Sequence, residues 1–346
     1  MKSFNIVSIV LALLTTLTSC EHKVVMNTEV HEDGSLDKTI IIEGDSATIN
    51  SNFVGIGSAK DWNVTVLKKD KVEKEDHGKF ILTFSKHFNS AEEANQDLST
   101  PSDTLFRVTS RFNKKFKWFY TYIQYSDTYQ SINRLQYPTT DYFTHEDYSF
   151  IDRLPAEGNS ISRADSLYLD RLNDKIFETY GTKALFEEYY QGLEGLLESE
   201  NQHAWIDTLK NHKEKLFQAM ENGKDIEDLS SLLIMAGIPK LPIPDDGILR
   251  LRDQIETQTN FISTASNGKY VHSITLPYSP IDSNADSVAG NTLFWKPSSI
   301  KFLLKDYEMI GETRTPNTWA VLISVAFILL SITLIFRKLK DSARKG

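Results

Sequence analysis

Hydrophobic residues alternate with polar ones at period two from Val24 to about Ile123 and again after Gly268, whereas between Ser162 and about Ile262 they recur at intervals of three and four. The first pattern predicts strands and the second amphipathic helices. A third pattern closes the chain: Thr318 to Phe336 reads TWAVLISVAFILLSITLIF without one charged side chain. At about 1.5 Å per residue such a helix covers roughly 28 Å, the thickness of a bilayer's hydrocarbon core. A buried core helix of this length would carry a polar stripe and would not run into a basic tail, so residues 317–336 are expected to cross a membrane. Trp319 sits where an interfacial anchor belongs. Arg337, Lys338, Lys340, Arg344 and Lys345 against one Asp341 make residues 337–346 a cytoplasmic tail by the positive-inside rule.

Within the first β-region, Val24 to Val30 and Thr39 to Ile42 flank Glu32-Asp33-Gly34-Ser35, whose central Asp-Gly predicts a hairpin. Asn63 to Leu67 and Lys79 to Ser85 are two more strands, and Ala91 to Leu98 a short acidic helix stopped by Pro101. A second hairpin is expected from Leu105 to Phe112 and Phe116 to Ile123, turning at Asn113-Lys114-Lys115. Its Phe116, Trp118, Tyr120 and Tyr122 share one face, as core or cross-strand aromatics do, with ligand stacking as the alternative. Tyr125 to Pro155 lacks a period and is expected to be a connecting stretch packed over a surface.

The helical block opens on the capping pattern Ser162-Arg163-Ala164-Asp165. Leu169, Leu172, Ile176 and Tyr180 form a first stripe that Gly181 should terminate; Leu185, Tyr189, Leu193 and Leu196 form a second, and Ile206, Leu209, Leu216 and Met220 a third closed by Gly223. Ile226, Leu229 and Leu233 form a short fourth. A fifth begins near Asp245, after the Pro-rich run 239–244, with Ile248, Leu251 and Ile255 on one side. Short connections favour an antiparallel bundle. Strands then return at Lys269 to Leu276, Asn291 to Lys296 and between Lys301 and Met309. The expected architecture is therefore α+β: an antiparallel β-rich exported domain built from residues 20–155 and 265–316, a small helical bundle inserted at 160–262, and one C-terminal transmembrane helix.

The 346 residues carry a net charge of -9, with 40% hydrophobic and 25% charged residues, an ordinary folded composition. Setting aside Lys2, the five basic tail residues and Asp341 shifts the remainder to about -14, which argues against nucleic acid and against an anionic lipid surface as partners. The N-terminus has a basic Lys2, an apolar run from Ile6 to Leu14 and then small or polar residues, so residues 1–19 are expected to be a signal peptide. The single cysteine, Cys20, follows directly.

Leu17-Thr18-Ser19-Cys20 resembles the lipobox of bacterial lipoproteins, whose cysteine receives a diacylglycerol and becomes the new N-terminus, carrying palmitate-type acyl chains. The alternatives are an unmodified cysteine beside an ordinary cleavage site, or an uncleaved N-terminal anchor. Lipid attachment at Cys20 and a spanning helix would tether one loop at both ends, with both ends of the exported part near the bilayer and the bundle farther out. The expected address is the inner (cytoplasmic) membrane, single-pass, with residues 20 to about 316 on the periplasmic side.

Further along, Tyr270-Val271-His272-Ser273-Ile274-Thr275-Leu276-Pro277, then Asp282-Ser283-Asn284-Ala285, then Gly290-Asn291-Thr292-Leu293-Phe294-Trp295 lead into the apolar helix and basic tail. This succession resembles the end of the β-domain in membrane lipoproteins of the LppM type, and the turn at Asp33-Gly34-Ser35 is similar to that family's first turn. The resemblance covers roughly residues 20–45 and 268–340. Tyr278 stands where the family has Gly after Leu-Pro, and the helical block is an insertion relative to it. The resemblance implies an envelope lipoprotein whose exported domain holds an amphiphile and which is not an enzyme.

No Gly-Xaa-Ser-Xaa-Gly elbow, His-Glu-Xaa-Xaa-His pair, phosphate loop or dinucleotide fingerprint occurs. With one cysteine, thiolate metal sites are excluded. Ser298-Ser299-Ile300-Lys301 has a Ser-Xaa-Xaa-Lys spacing but is expected in a strand; His145-Glu146-Asp147 is expected in a solvated loop; Asp245-Asp246 reads as a helix cap. The eight histidines show no paired ligand spacing. No catalytic residue, cofactor or metal site is assigned. The expected function is a noncatalytic envelope lipoprotein binding a protein partner or a lipid-like ligand. An envelope hydrolase or transferase, its residues converging only in three dimensions, is the alternative.

Overall fold

The computed structural model describes residues 22–44, 61–68, 80–99, 106–221, 233–238 and 241–343. Cys20, the expected signal peptide and most of the expected fourth helix lie outside them.

Two sheets face one another. The first contains β1 (Lys23–Val30), β2 (Leu36–Gly44), β3 (Asn63–Lys68) and β4 (Phe80–Phe88). The second opens with β5 (Val108–Lys117) and β6 (Tyr120–Tyr129), after the helix α1 (Ala91–Leu98) capped by Ser90. The chain then passes through α2 (His145–Arg153), α3 (Arg163–Asp174), α4 (Gly181–Ser199), α5 (His203–Asn211), α6 (Lys213–Glu221) and α7 (Asp245–Ser266) before returning to β-structure. There β7 (Lys269–Thr275), β9 (Ser287–Ala289) and β10 (Thr292–Trp295) complete the first sheet, while β8 (Pro280–Ser283) and β11 (Tyr307–Pro316) complete the second. The strand orders are β3-β4-β2-β1-β7-β10-β9 and β5-β6-β11-β8. The α+β class holds, with one addition: β1 and β7 pair in parallel, although the other pairings are antiparallel.

Alternation explains the first hairpin. In β2 every second side chain, from Leu36 through Ile40 and Ile42, is buried, and Gly34 turns the chain with φ +96° against the Phe112 ring. The second hairpin differs from expectation. Residues 113–115 do not turn; they pair with 122–124, and the strands run on to a two-residue turn at Trp118-Phe119. Strand β6 also continues through Tyr129, so the expected connecting stretch begins in regular structure. Gly181 does not end a helix either: α3 runs through a π-helical segment, Lys175–Tyr180, straight into α4. A Cβ at Gly181 would lie 3.1 Å from the Ile176 carbonyl, so glycine makes room for the widened turn.

The cores are two. Between and beside the sheets pack Met26, Ile40, Phe84, Phe106, Tyr125 and Trp295, joined by Leu172, Ile176 and Tyr180 of the first helical run and by Phe261 and Ala265 of α7. A second cluster, including Tyr190, Leu197, Leu209, Met220, Leu233 and Ile243, belongs to the helices alone.

The β1–β2 hairpin runs alongside the β5–β6 hairpin with both turns toward the same pole. Tyr129 meets Met26, Asp127 meets Thr28, and Lys114 meets Glu32. At that pole β11 passes through Asn317 into α8 (Thr318–Ala343), whose stretch Thr318–Leu339 is long and apolar enough to cross a membrane and is only 6% buried. Lys23 opens β1 at the opposite pole. This corrects the expectation that both ends of the exported part lie near one bilayer. Met309, level with Asp127 and Thr28, stands seven residues before Pro316, or roughly 23 Å along the strand, and β1 extends beyond it. The helical segment departs after Tyr129 and rejoins at Lys269, also at the far pole.

Candidate functional site

The β5–β6 turn is built against local preference. Two-residue hairpin turns favour left-handed residues, yet among the described non-glycine residues only Asn201 has positive φ. Asn317 supplies what Trp118 and Phe119 do not. Its Nδ2 donates to the carbonyls of Lys117 (2.9 Å) and Trp118 (3.2 Å), and its backbone N–H donates to the carbonyl of Phe119 (2.8 Å). Its Oδ1 accepts from Thr121 Oγ1 at 2.8 Å, and its own carbonyl accepts from the N–H groups of Ala320 and Val321. One residue thus closes the hairpin and starts the apolar helix.

Aromatic rings extend the junction. Phe116 stacks on Trp319 at 5.9 Å with 8° between planes, and Trp118 meets Trp319 edge-on at 5.7 Å. The indole N–H of Trp118 donates to Ser324 Oγ at 2.9 Å, about 9 Å along α8 from its first residue. Phe116, Trp118, Phe119 and Trp319 are each about half exposed (48–54%), and their exposed surface is continuous with α8. Behind them sit cations: Lys117 lies over the Tyr122 ring at 4.2 Å and Arg314 over Tyr120 at 4.5 Å. The overall acidity hid this local basic collar.

At its other end the same hairpin holds a buried ion cluster. Asp127 Oδ1 accepts from Lys38 Nζ (3.0 Å), Ser110 Oγ (2.6 Å) and Tyr125 OH (2.7 Å). Its Oδ2 accepts from Lys38 Nζ (2.8 Å) and Thr28 Oγ1 (3.2 Å) and lies 3.2 Å from His272 Nε2. Asp127, Lys38, His272 and Tyr125 are at most 1% exposed. Burial opposes ionisation of Asp127, but the Lys38 ammonium and the bonds from His272 and Lys38 hold its carboxyl far below the usual range. Burial lowers the affinity of the Lys38 and His272 side chains for protons and pushes the Tyr125 hydroxyl up. An ion set so enclosed fixes the pairing of the two sheets and offers no approach to a substrate.

The residues singled out in the sequence are not brought together. Ser298-Ser299-Ile300-Lys301 forms a 3₁₀ turn rather than a strand; Ser298 Oγ has no hydrogen-bond partner and Ser299 Oγ donates to the Ser266 carbonyl. His145-Glu146-Asp147 is the first turn of α2 and not a loop. Burial works against the Asp147 carboxylate, yet the Thr144 N–H, Lys175 and Tyr168 bring its pKa to about 2. Asp245 and Asp246 lie in the first turn of α7, favourable for the helix dipole, although the cap position itself is Pro244. Of Asp282-Ser283-Asn284-Ala285, the first two residues end β8 and Asn284 has a clear role: its Oδ1 accepts from Ile310 N–H (2.9 Å) and lies 3.1 Å from Trp295 Nε1, joining the two sheets. Among the described residues, His31, Asp37 and His87 bring three ligand atoms within 4.8 Å of one another, a convergence that no spacing announced.

No protein-family model and no curated protein matches the chain. Among solved structures, it is similar to the NMR structure of the Mycobacterium tuberculosis LppM protein folded domain, with 8% identity, 86% of this chain and 91% of that chain covered, and a TM-score of 0.26. A likeness so weak and distant carries no argument. The geometry defines an α+β protein in which, among the described residues, one candidate spanning helix is hydrogen-bonded to the β-layer at its start.

Proposed function

We propose that this chain is a noncatalytic envelope protein, anchored in the inner membrane by α8 with its C-terminus cytoplasmic, whose α+β body stands upright on the bilayer and binds a protein partner or lipid-like ligand. The Asn317 junction carries the reading. An apolar helix that merely tethered a domain would need no bonds to it, whereas here the helix start, the hairpin turn and the aromatic rings form one bonded unit. Trp118 and Trp319 sit at the depth where amphipathic rings favour the interface, and Lys117 and Arg314 lie at headgroup level. The enclosure of Asp127 and His272 favours a structural role for their polar cluster.

Lipid attachment at Cys20 fits this reading in a restricted form. Cys20 precedes Lys23 by three residues, at most about 11 Å of chain, while β1 opens at the pole away from α8. An acyl chain there would reach the bilayer holding α8 only after β1 left its sheet, so α8 is the anchor that sets orientation.

The test is depth measurement by spin labelling in bilayers. In a Cys20→Ser background, a nitroxide at Phe119→Cys should lie within the interface, and one at Gln191→Cys in α4 should be fully aqueous. Equal aqueous exposure of both labels, or loss of the Cys20→Ser protein from the membrane fraction, would overturn the reading. The binding role is tested by mass spectrometry of lipids and proteins retained on the detergent-solubilised full chain.

A further inference from the structure

We propose that His31, Asp37 and His87 form a binding site for a first-row divalent metal ion of the zinc type, at the end of the first sheet nearer α8. His31 follows β1, Asp37 is the second residue of β2, and His87 faces Asp37 directly in β4. His31 Nε2 lies 2.6 Å from Asp37 Oδ2, and His87 Nδ1 lies 2.8 Å from Asp37 Oδ1. Both ring nitrogens therefore point at one carboxylate. Two ligands of a tetrahedral zinc ion stand about 3.3 Å apart; each His–Asp distance is within about 1 Å of that, and the three ligand atoms all lie within 4.8 Å of one another.

The donor set suits this class of ion. Two imidazoles and a carboxylate are the three-ligand arrangement that leaves a further position for water or an outside ligand. The shallow depression beside them, lined by His31, Glu32, Asp33, Ser35 and His87, is where that ligand would enter. Glu29 and Asp33 add negative potential toward His31.

The ligands are also held in place before any ion arrives. Strands β2 and β4 pair without a slip from Leu36↔Phe88 to Gly44↔Phe80. The turn is closed by His31 N–H to the Ser35 carbonyl (3.0 Å) and Gly34 N–H to the His31 carbonyl (3.1 Å). Asp33 is engaged by Ser35, and Glu32 by Tyr278 and Lys114, so neither competes for the ion. A plain hydrogen-bonded His-Asp-His set would share this geometry and bind no metal.

Calorimetric titration of the detergent-solubilised full chain with zinc chloride separates the two. One saturable site is expected, and cobalt(II) substituted there should give the visible absorption of a four-coordinate ion. His31→Ala, His87→Ala and Asp37→Asn should each weaken binding by more than about 10-fold, the loss that removing a mere outer-sphere partner already causes. His203→Ala, remote on α5, should bind as the wild type does. Circular dichroism of each variant verifies that weakened binding is not unfolding. Absence of a saturable site in the wild type, or wild-type affinity in His31→Ala and His87→Ala, would overturn the proposal.

Discussion

One hairpin, β5–β6, ends in two opposite ways. Its inner end is closed on Asp127 and Tyr125, where every polar atom of the carboxylate is matched and water is shut out. Its outer end presents Phe116, Trp118 and Phe119 about half exposed beside α8. In sequence the outer end alternates at period two through Ile123, whereas the inner end at Tyr125-Ser126-Asp127 has no clear period. What separates them is the second layer: the inner end meets β1, β2 and β7, whereas the aromatic side chains of the outer end pack against the start of α8. An alternating pattern identifies a covered face without saying whether protein or lipid covers it.

Breaking the inner end should cost most. Asp127→Ala leaves a buried ammonium and imidazole without their carboxylate, and a loss of about 3–5 kcal/mol is expected in chemical unfolding. Replacing the pair together, Lys38→Met with Asp127→Leu, should recover most of that loss; if it does not, the cluster stabilises through more than its charges. Next comes Gly311→Ala in β11. Its added Cβ would overlap Leu293 of the facing sheet and sit 3.2 Å from Leu276, for an expected cost of about 1–3 kcal/mol.

Acid should affect the two ends differently. The folded-state affinities of His272 and Asp127 for protons are both depressed, so the inner end contributes fully above about pH 6.5, the unfolded histidine value. That contribution is lost as pH falls, first through protonation of His272 and then of Asp127. Thermal midpoints recorded from pH 7.5 to pH 4 should fall, while lipid contact at Phe119, which has no proton to gain, should hold until unfolding.

Asn317→Ala should be milder in stability, about 1–2 kcal/mol, because two carbonyl contacts of the turn and the Thr121 hydroxyl bond are lost rather than a charge stranded. Its main effect should be a broadened depth distribution for a label at residue 119. Phe119→Ser should change stability by less than about 0.5 kcal/mol in detergent and still reduce lipid contact.

The first hairpin, its Asp33-Gly34 turn and the apolar helix were legible because local chemistry decided them. Trp118-Phe119 was not legible as a turn, since the residue that holds it, Asn317, lies some 200 positions away. The π-helical passage into Gly181 reversed the meaning of a glycine that would ordinarily stop a helix. His31 and His87 escaped notice because two strands, and not one helix turn, set their spacing. Asp127 was overlooked because strand β6 runs past the point where alternation fades into Tyr125-Ser126-Asp127, whose buried polar atoms face one another instead of solvent.

The central place of β1 governs the order in which this molecule can be made. Its parallel neighbour β7 emerges from the ribosome roughly 240 residues later, so β1 waits without one flank while the whole helical block is synthesised. That block has an apolar cluster of its own and can condense in the interval. The sheet closes only when residues 269–275 arrive, shortly before α8 itself is made, which makes completion of the fold and appearance of the apolar helix nearly simultaneous events.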